Sequence, residues 1–382
     1  MRVWQGALNG WRQLTRHLTN QLKLDSIKSF ALLFIIGATL SVAIAACSNG
    51  SGNNSTATSP AGSPVAQNQK DVELTLVAYA IPKAAHDAII PKFVEQWKKD
   101  HGGQTVTFNQ SYGGSGTQTR AVIDGLEADV VHLALAGDTN KLVKAGLVNA
   151  GWETKVPNNG IVAKTVAAIT TREGNPKNIK SFNDLARDDV KWVTANPKTS
   201  GVARWNFLAL WNASIKSGAD EAKATEFVTK AFKNVAVLTK DAREATDAFA
   251  KQGQGDALIN YENEIILAKS KGEKLEYTIP DVNISIDTPI AVVDQNVDKH
   301  GTREAAEAFV KFLFTPEAQQ EFVNLGYRPL DAAAAKQKEN TDKFPPVKTL
   351  STIKDFGDWT DFQKKFFEDG AIFDQIEASI NK

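Results

Sequence analysis

Two short polar turns that contain glycine and serine lie at predicted strand-to-helix junctions. The turn "SYGGSGT" (111–117) separates the strand-like run "QTVTFNQ" from the helix-like run "TQTRAVIDGLEAD", and "NPKTSG" (196–201) separates "VKWVTA" from "VARWNFLALW". A helix N-terminus presents unpaired backbone N–H groups and about half a positive charge, which stabilises an anion bound there. Ser115 and Ser200 can each cap their helix or donate a hydroxyl hydrogen bond. The pattern favours reversible anion binding, although each junction alone is also typical of ordinary helix capping.

A third junction of the same kind is Asp241-Ala242, before the helix-like run "REATDAFAKQ". Arg204 and Arg243 follow two of the junctions, one or more positions inside their helices. We expect both arginines to be salt-bridged behind the loops and not to be anion ligands, because fixed helix dipoles can supply the stabilisation.

The sequence contains no recognisable arrangement of residues for catalysis or for metal binding. "GGSGT" is not the nucleophile elbow G-x-S-x-G, because Thr117 occupies the position of the last glycine. No phosphate-binding G-x-x-x-x-G-K-[ST] and no dinucleotide-binding G-x-G-x-x-G occurs. His132, in "ADVVHLAL", is expected to be a buried strand residue rather than a base. The five histidines are isolated and lack metal-ligand spacing: His17, His86, His101, His132 and His300. The sequence predicts no enzyme, no metal and no cofactor.

Composition excludes a nucleic-acid partner. The 382 residues are 42% hydrophobic and 23% charged, with 44 basic and 44 acidic side chains. Beyond residue 46 the chain holds 39 basic against 43 acidic residues, a net charge of −4. A basic field for nucleic acid is therefore absent.

The N-terminus is typical of an export signal. A basic region precedes the apolar run "FALLFIIGATLSVAIAA" (30–46), which is followed by Cys47, the only cysteine. The end of this run resembles the lipobox of bacterial lipoproteins, in which the cysteine carries diacylglycerol. We predict a signal peptide at 1–46, lipidation of Cys47 and a flexible Ser-, Gly- and Asn-rich tether at 47–70. An uncleaved membrane anchor or a buried thiol is the alternative.

Strand-like and helix-like runs alternate from about Asp71 onward, which predicts an α/β fold with mainly parallel sheets flanked by helices. The run "IVAKTVAAITT" is predicted as one strand, and two late helices are predicted to break at Thr315-Pro316. Trp205, Leu208 and Trp211 form a helical stripe expected to be core. About 310 residues favour two lobes, with the site in the cleft between them.

Three segments together resemble the periplasmic sulfate-binding proteins of ABC importers. They are "QSYGGSGTQTRAVIDGLEADVVHLAL" (110–135), "NPKTSGVARWNFLALW" (196–211) and "GDALINYENEIILA" (255–268), and "IKDFGDWT" (353–360) extends the resemblance toward the C-terminus. The resemblance implies a two-lobed type II binding-protein fold that closes around one sulfate. It places the first lobe at 71–160 and 276–330, the second at 161–275 and a C-terminal helical segment at 331–382.

Carried over residue by residue, the resemblance implies a set of uncharged anion donors: the N–H and hydroxyl of Ser115, the hydroxyl of Ser200, the N–H groups of Gly201, Val202, Ala242 and Ala80, and the hydroxyl of Tyr261. Three positions depart from the family pattern. Val202 stands where relatives commonly have glycine, Tyr261 where they have a tryptophan that donates to sulfate, and Ala80 where some have an acidic residue. A tyrosine hydroxyl can still donate.

The predicted function is extracytoplasmic sulfate binding, with thiosulfate also possible as a ligand and with permease subunits of an ABC transporter as partners. The protein is expected to be a monomer in the periplasm, held to the membrane by its N-terminal lipid. Sulfate has no proton at neutral pH and needs donors only, whereas hydrogen phosphate also needs an acceptor. None of the predicted ligands is acidic, but Asp241, Glu244 or Glu262 could turn inward. The alternatives are a binder or sensor of thiosulfate, molybdate or phosphate, and a hydrolase.

Overall fold

The structure is a computed structural model that describes residues 70–380. The predicted signal peptide, Cys47 and nearly all of the predicted tether lie outside the described residues. Among residues 70–380, no helix combines the length and the apolar character that crossing a membrane requires.

Twelve strands and thirteen α-helices are found in residues 70–380. The strands are β1 (Val72–Tyr79), β2 (Val106–Gly113), β3 (Val130–His132), β4 (Ile161–Thr165), β5 (Ala167–Arg172), β6 (Trp192–Ala195), β7 (Val235–Thr239), β8 (Ala257–Tyr261), β9 (Leu275–Thr278), β10 (Val282–Ile284), β11 (Ile286–Val292) and β12 (Thr349–Ser351). The helices are α1 (Lys83–Asp100), α2 (Ser115–Ile123), α3 (Ala136–Lys144), α4 (Gly201–Lys216), α5 (Glu221–Lys233), α6 (Ala242–Ala250), α7 (Glu262–Ser270), α8 (Asp294–His300), α9 (Arg303–Phe312), α10 (Pro316–Asn324), α11 (Lys338–Lys343), α12 (Trp359–Phe366) and α13 (Ile372–Ile380).

Two five-stranded sheets form the two lobes. The first has the order β2-β1-β3-β11-β4 and the second the order β7-β6-β8-β5-β9. In each, one strand pairs in parallel with two neighbours, β1 with β2 and β3, and β6 with β7 and β8. The carboxyl ends of these parallel strands lead into the helices α1, α2, α3, α4, α6 and α7, so the loops of both lobes can line one cleft. The predicted two-lobed α/β architecture is confirmed.

Each sheet is mainly parallel, as predicted, but contains one strand that runs opposite to the other four, so both sheets are mixed. β11 runs antiparallel to β3 and β4, and β5 runs antiparallel to β8 and β9. These antiparallel strands belong to the segments by which the chain passes from one lobe to the other. Apolar runs that are buried on both faces look alike in either pairing, so the sequence does not distinguish them.

The run "IVAKTVAAITT" is two strands and not one. β4 pairs with β11 in the first sheet, β5 pairs with β8 in the second, and Val166 lies between them. The predicted start of the second lobe at residue 161 therefore precedes the change of sheet by five residues, and β9 extends the second sheet beyond the predicted end at 275. An uninterrupted β-branched run does not reveal where the hydrogen-bonding partner changes.

The helix α3 lies in a region for which the sequence predicted no helix. Its residues, "AGDTNKLVK", bury Asp138, Thr139 and Leu142, although only one of these is apolar. Asp138 in the first turn and Lys144 in the last turn complement the helix dipole. The polar side chain at a buried position concealed the helical periodicity.

Several local predictions are confirmed. Thr315 caps α10, its hydroxyl accepting from the Ala318 N–H at 3.3 Å, and α9 ends before it at Phe312. Trp205 and Trp211 are buried in α4, as the predicted core stripe requires.

His132 is buried in β3 and fully hydrogen-bonded. Its ring nitrogens lie 3.0 Å from His86 Nε2 and 3.2 Å from Thr288 Oγ1. Burial, followed by the neighbouring His86, lowers the pKa of His132 well below its ordinary value, so the ring is neutral. The expectation of a buried strand histidine is confirmed.

The tail from Asp331 contains short helices and one strand rather than mostly helix. β12 pairs in parallel with β10, and α12 packs its aromatic side chains on the second lobe. The rings of Trp359 and Trp205 lie 4.5 Å apart and those of Phe366 and Trp211 lie 4.7 Å apart. This aromatic contact buries one face of α4, the helix whose N-terminus carries the "NPKTSG" turn.

Candidate functional site

Three strand-to-helix junctions from the two lobes are in direct contact. Gly114, which precedes α2 in the first lobe, lies against the backbone of Thr199 and Lys240 in the second. A Cβ atom on Gly114 would be 2.6 Å from the Thr199 carbonyl oxygen and 2.9 Å from the Lys240 carbonyl oxygen. The Thr117 N–H also donates to the Thr199 carbonyl at 3.3 Å. The lobes are therefore closed on one another at the junctions that the sequence singled out.

The N-termini of α2 and α4 approach each other through Gly201. A Cβ atom on Gly201 would lie 2.7 Å from Ala134 Cβ and 3.1 Å from Ser115 Cβ. Its φ lies outside the left-handed region, so glycine is required for close approach and not for backbone conformation. Two positive helix ends from different lobes thus converge on one place.

Asn260 connects the third junction to Tyr261. Its Nδ2 donates to the Ala242 carbonyl at 2.8 Å, and its Oδ1 accepts from the Tyr261 N–H at 2.8 Å. Tyr261 in turn lies 6.4 Å, ring to ring, from Tyr79, the residue before Ala80. These contacts link Ala242 to Tyr261 and Tyr261 to the residue before Ala80, while the close approach of Gly201 to Ser115 links the N-termini of α2 and α4, where Ser200 and Val202 also lie.

The predicted N–H donors have no acceptor within residues 70–380. Ser115 and Ala242 are the first residues of α2 and α6, and Gly201 and Val202 are the first two of α4. Neither these four N–H groups nor that of Ala80 takes part in a hydrogen bond among the described residues. Their hydrogen-bonding capacity is free for a ligand.

The two serines differ in what their hydroxyls do. Ser115 Oγ donates to Asp138 Oδ2 at 2.8 Å and accepts from the Ala134 N–H at 3.0 Å. Its single proton is therefore directed at a carboxylate, which corrects the predicted hydroxyl donation and leaves its N–H. Ser200 is 1% exposed, precedes α4 and makes no side-chain cap to that helix.

Tyr261 buries a hydroxyl that has no hydrogen-bond partner among the described residues. Burial raises its pKa well above the ordinary value, and the charges of Tyr79 and Asp138 act in the same direction. The hydroxyl is therefore a neutral donor. A buried polar group without a partner costs about 1–3 kcal/mol, which a bound acceptor would recover.

A buried ion pair joins the lobes beside these donors. Arg204 Nη1 lies 2.7 Å from Asp138 Oδ1, and Arg204 Nε donates to the Pro197 carbonyl at 2.9 Å. Burial by itself raises the pKa of Asp138, but Arg204 and Lys141 outweigh it and bring that pKa to about 2. Arg204 is thus salt-bridged, as expected from its position inside α4. The sequence offered no signal for Asp138, because the helix that carries it, α3, was not predicted.

The three acidic residues that could have turned toward an anion are engaged elsewhere. Asp241 caps α6 by accepting from the Glu244 N–H at 3.0 Å, and Glu244 accepts from the Lys240 N–H at 3.0 Å. Glu262 is buried and accepts from both Arg328 Nε and Nη2, at 2.6 and 2.9 Å. The junction therefore offers donors without a free carboxylate from these positions.

Among residues 70–380, the His, Cys, Asp and Glu side chains form no group of three or more that could hold a metal ion.

Comparison with known proteins gives a consistent result. A family model described as bacterial extracellular solute-binding protein matches residues 74–328. The sulfate-binding protein of Synechococcus elongatus is 52% identical over 353 residues, covering 92% of this chain and 97% of the relative. The thiosulfate-binding protein of Pseudomonas aeruginosa is 40% identical over 303 residues, covering 78% and 90%. The solved structure of the sulfate-binding protein SubI from Mycobacterium tuberculosis superposes with a TM-score of 0.71 at 36% identity, covering 78% of this chain and 100% of that one.

Proposed function

The chain belongs to the bacterial extracellular solute-binding proteins, and from this premise we propose that it binds sulfate outside the inner membrane and delivers it to an ABC importer. The observation that carries the proposal is the set of donors without acceptors at the lobe junction, namely the N–H groups of Ala80, Ser115, Gly201, Val202 and Ala242 and the hydroxyl of Tyr261, together with the Ser200 hydroxyl, which makes no cap to α4. The family is one of binding proteins and not of enzymes.

The proposed recognition uses dipoles and not a direct ion pair. Three helix N-termini contribute partial positive charge, and their free N–H groups bond the anion oxygens. Arg204 is already neutralised by Asp138, so its charge is not available as a direct partner. A dianion held only by donors would be selected over hydrogen phosphate, whose proton would meet no acceptor.

Closure of the lobes supplies the donors from both sides. Ser115 and Ala80 belong to the first lobe, whereas Ser200, Gly201, Val202, Ala242 and Tyr261 belong to the second. In an open protein, one anion could contact the donors of only one lobe at a time. Tight binding therefore requires the closed state. We propose the predicted lobes with one change: the second lobe is placed at about 166–280, because β4 belongs to the first sheet and β9 to the second.

We expect sulfate to raise the melting temperature of the purified protein and an equal concentration of phosphate to leave it unchanged. At a hundredfold excess over the dissociation constant, a ligand that binds only the folded state adds about 2.7 kcal/mol to the free energy of unfolding. Differential scanning calorimetry measures the shift, with chloride at matched ionic strength as the control. Equal shifts with sulfate and phosphate would contradict a donor-only site. Thiosulfate, selenate and molybdate in the same assay rank the alternative ligands.

We further propose that Cys47 carries the lipid that holds the protein at the membrane and that the protein acts as a monomer. The support is the apolar run 30–46 that ends at this single cysteine. Cys47→Ala is expected to abolish incorporation of labelled fatty acid and either to release the protein from the membrane fraction or to leave an unprocessed precursor. Normal processing and membrane retention of the variant would rule out lipidation at Cys47.

A further inference from the structure

A chain of hydrogen bonds crosses the interior of the first lobe through two buried histidines. His86 Nε2 lies 3.0 Å from His132 Nδ1, and His86 Nδ1 lies 2.9 Å from the hydroxyl oxygen of Tyr112. His132 Nε2 lies 3.2 Å from Thr288 Oγ1, which donates to the Ala163 carbonyl at 3.2 Å. We call these five residues the histidine relay. They belong to α1, β3, β2, β11 and β4, so the relay joins a helix to four of the five strands of the first sheet.

The Ala163 end of the histidine relay fixes where its protons lie. The carbonyl can only accept, so Thr288 spends its single proton there and accepts from His132 Nε2. A neutral imidazole has one donor and one acceptor, so His132 Nδ1 accepts from His86 Nε2. His86 Nδ1 is then left to accept from Tyr112. Both imidazoles therefore carry their proton on Nε2.

The Tyr112 end of the histidine relay is completed by Gln110. Gln110 Oε1 lies 2.7 Å from the Tyr112 hydroxyl oxygen, and the exposed amide can turn over to present its nitrogen instead. With the nitrogen there, Gln110 donates to Tyr112, and the Tyr112 proton is left for His86. Every contact of the relay then holds one proton while both imidazoles are neutral.

A proton added to this pair of histidines would have no counter-charge beside it. Both side chains are 0% exposed. From outside the pair, the charged groups of residues 70–380 that act on it are Lys83 and Asp87, which pair with each other at 2.8 Å on the exposed face of α1. A second added proton would place two N–H groups opposite each other across the 3.0 Å contact of the ring nitrogens. Burial of an unpaired charge is unfavourable, so the folded lobe favours the neutral pair.

The other elements packed on the pair bring no charge. β1 contributes Tyr79, whose ring lies 5.4 Å from that of His132, and α10 contributes Phe322 at 6.4 Å. Burial raises the pKa of Tyr79 and that of Tyr112 in β2, so both phenols stay neutral. The surroundings therefore offer aromatic edges and hydroxyls and no carboxylate.

The pKa values of the two histidines agree with this geometry. Burial lowers the pKa of His86 to about 3, against the smaller effect of Asp87, and Lys83 adds to the lowering. Burial, followed by His86, lowers the pKa of His132 well below its ordinary value. Both imidazoles thus stay neutral in the folded protein at pH values where a histidine in an unfolded chain is charged.

We propose that the histidine relay is a pH-sensitive element of the fold, which joins α1 to the first sheet while both imidazoles are neutral and through which acid destabilises the first lobe. The unfolded chain binds a proton at each histidine as the pH falls below about 6.5, whereas the folded lobe does not, so stability falls with the pH. Between pH 7 and pH 5 each histidine shifts the folding equilibrium toward the unfolded state about 25-fold, and the two together roughly 600-fold. The proposal concerns the fold and holds whichever anion is bound.

Two other groups respond to pH with the opposite sign. Burial raises the pKa of Glu264 to about 7, and hydrogen bonds to Asp129 and then Glu127 raise the pKa of His300. Each contributes stability that is present at low pH and is lost as the pH rises through its folded-state pKa. The effect of the relay must therefore be measured as a difference between the wild type and a variant that keeps both of these groups.

The first test observes the imidazoles directly. Two-dimensional proton–nitrogen NMR spectra of the purified protein, labelled with nitrogen-15 at histidine, distinguish a charged ring from each of the two neutral forms. His86 and His132, assigned with the single variants His86→Leu and His132→Leu, are expected to stay neutral with the proton on Nε2 from pH 7.5 down to pH 5. A charged ring at either position at pH 5, or a proton on Nδ1 in both rings, would overturn the proposal.

The second test compares urea unfolding at pH 7 and pH 5 in sulfate-free buffer. The double variant His86→Leu/His132→Leu removes both titrating rings at similar volume and leaves Tyr112 with Gln110 and Thr288 with Ala163. On acidification, the unfolding equilibrium constant of the wild type should rise roughly 600-fold more than that of the double variant.

His101→Gln is the matched control for this comparison. His101 directly follows α1, and its side chain is 26% exposed and lies outside the histidine relay. Its pH response should equal that of the wild type. An equal pH response of the wild type and the double variant would contradict the proposal. If the double variant does not fold, the NMR spectra of the wild type decide the question alone.

Discussion

Gly114→Ala is expected to weaken sulfate binding by roughly 150-fold while leaving the fold intact. The added Cβ would lie 2.6 Å from the Thr199 carbonyl oxygen and 2.9 Å from the Lys240 carbonyl oxygen, and both are backbone atoms of the opposite lobe. Overpacking of this kind costs about 1–3 kcal/mol, and two backbone obstacles place the cost at the upper end. Because the lobes can avoid the clash by staying apart, the cost falls on closure and therefore on affinity. Isothermal titration calorimetry with sulfate measures the change.

Gly113→Ala is the matched control for this substitution. Its Cβ would meet only the flexible Gln118 side chain, at an ordinary 3.4 Å from Nε2. Gly114 itself has φ −63° and ψ 132°, a conformation that alanine adopts without strain, so local backbone distortion does not explain a loss. The melting temperature without sulfate should be nearly the same for both variants and wild type. Wild-type affinity in Gly114→Ala would show that binding does not require the interlobe contact seen here.

Ser200→Ala is expected to lower sulfate affinity by roughly tenfold to a hundredfold. Ser200 is a buried residue whose hydroxyl caps no helix group and would make a charge-assisted hydrogen bond to the anion, which is worth about 1.5–3 kcal/mol. Dissociation constants from calorimetry measure the loss. Ser217→Ala is a suitable control, because that hydroxyl caps the far end of α4 by donating to the Ser214 carbonyl at 2.7 Å. An affinity loss below threefold in Ser200→Ala would contradict its role as a ligand.

Tyr261→Phe and Arg204→Gln complete this comparison because they separate donors from charges. Tyr261→Phe should weaken sulfate binding about as much as Ser200→Ala and at the same time stabilise the unliganded protein, since it removes a buried hydroxyl without a partner.

Arg204→Gln should cost less affinity than Ser200→Ala, although it leaves Asp138 without its arginine partner and so lowers the free energy of unfolding. A larger affinity loss in Arg204→Gln than in Ser200→Ala would show that the site relies on a direct ion pair.

The local part of the site could be predicted from the sequence because its signals are local. A glycine- or serine-bearing turn between a strand and a helix is recognisable from adjacent residues, and so is the cap at Thr315-Pro316. The interpretation of Arg204 as salt-bridged also needed only its position within the helix. The partner of Arg204 could not be predicted. Asp138 is 66 residues away in the sequence and lies in α3, a helix whose buried face is partly polar and so shows no clear helical periodicity.

The sequence by itself determined the alternation of strands and helices that makes an α/β chain, the position of the three junctions and the absence of acidic residues among the predicted ligands. Only the tertiary structure decided which lobe each strand joins, the direction of the Ser115 proton toward Asp138, the burial of the unpartnered Tyr261 hydroxyl and the contact of Gly114 with two backbone carbonyls. The physical reason is the separation in sequence of the residues that interact. Turns, caps and dipoles depend on neighbouring residues, whereas pairing, burial and close approach depend on residues distant in the chain that meet only when the two lobes fold and close.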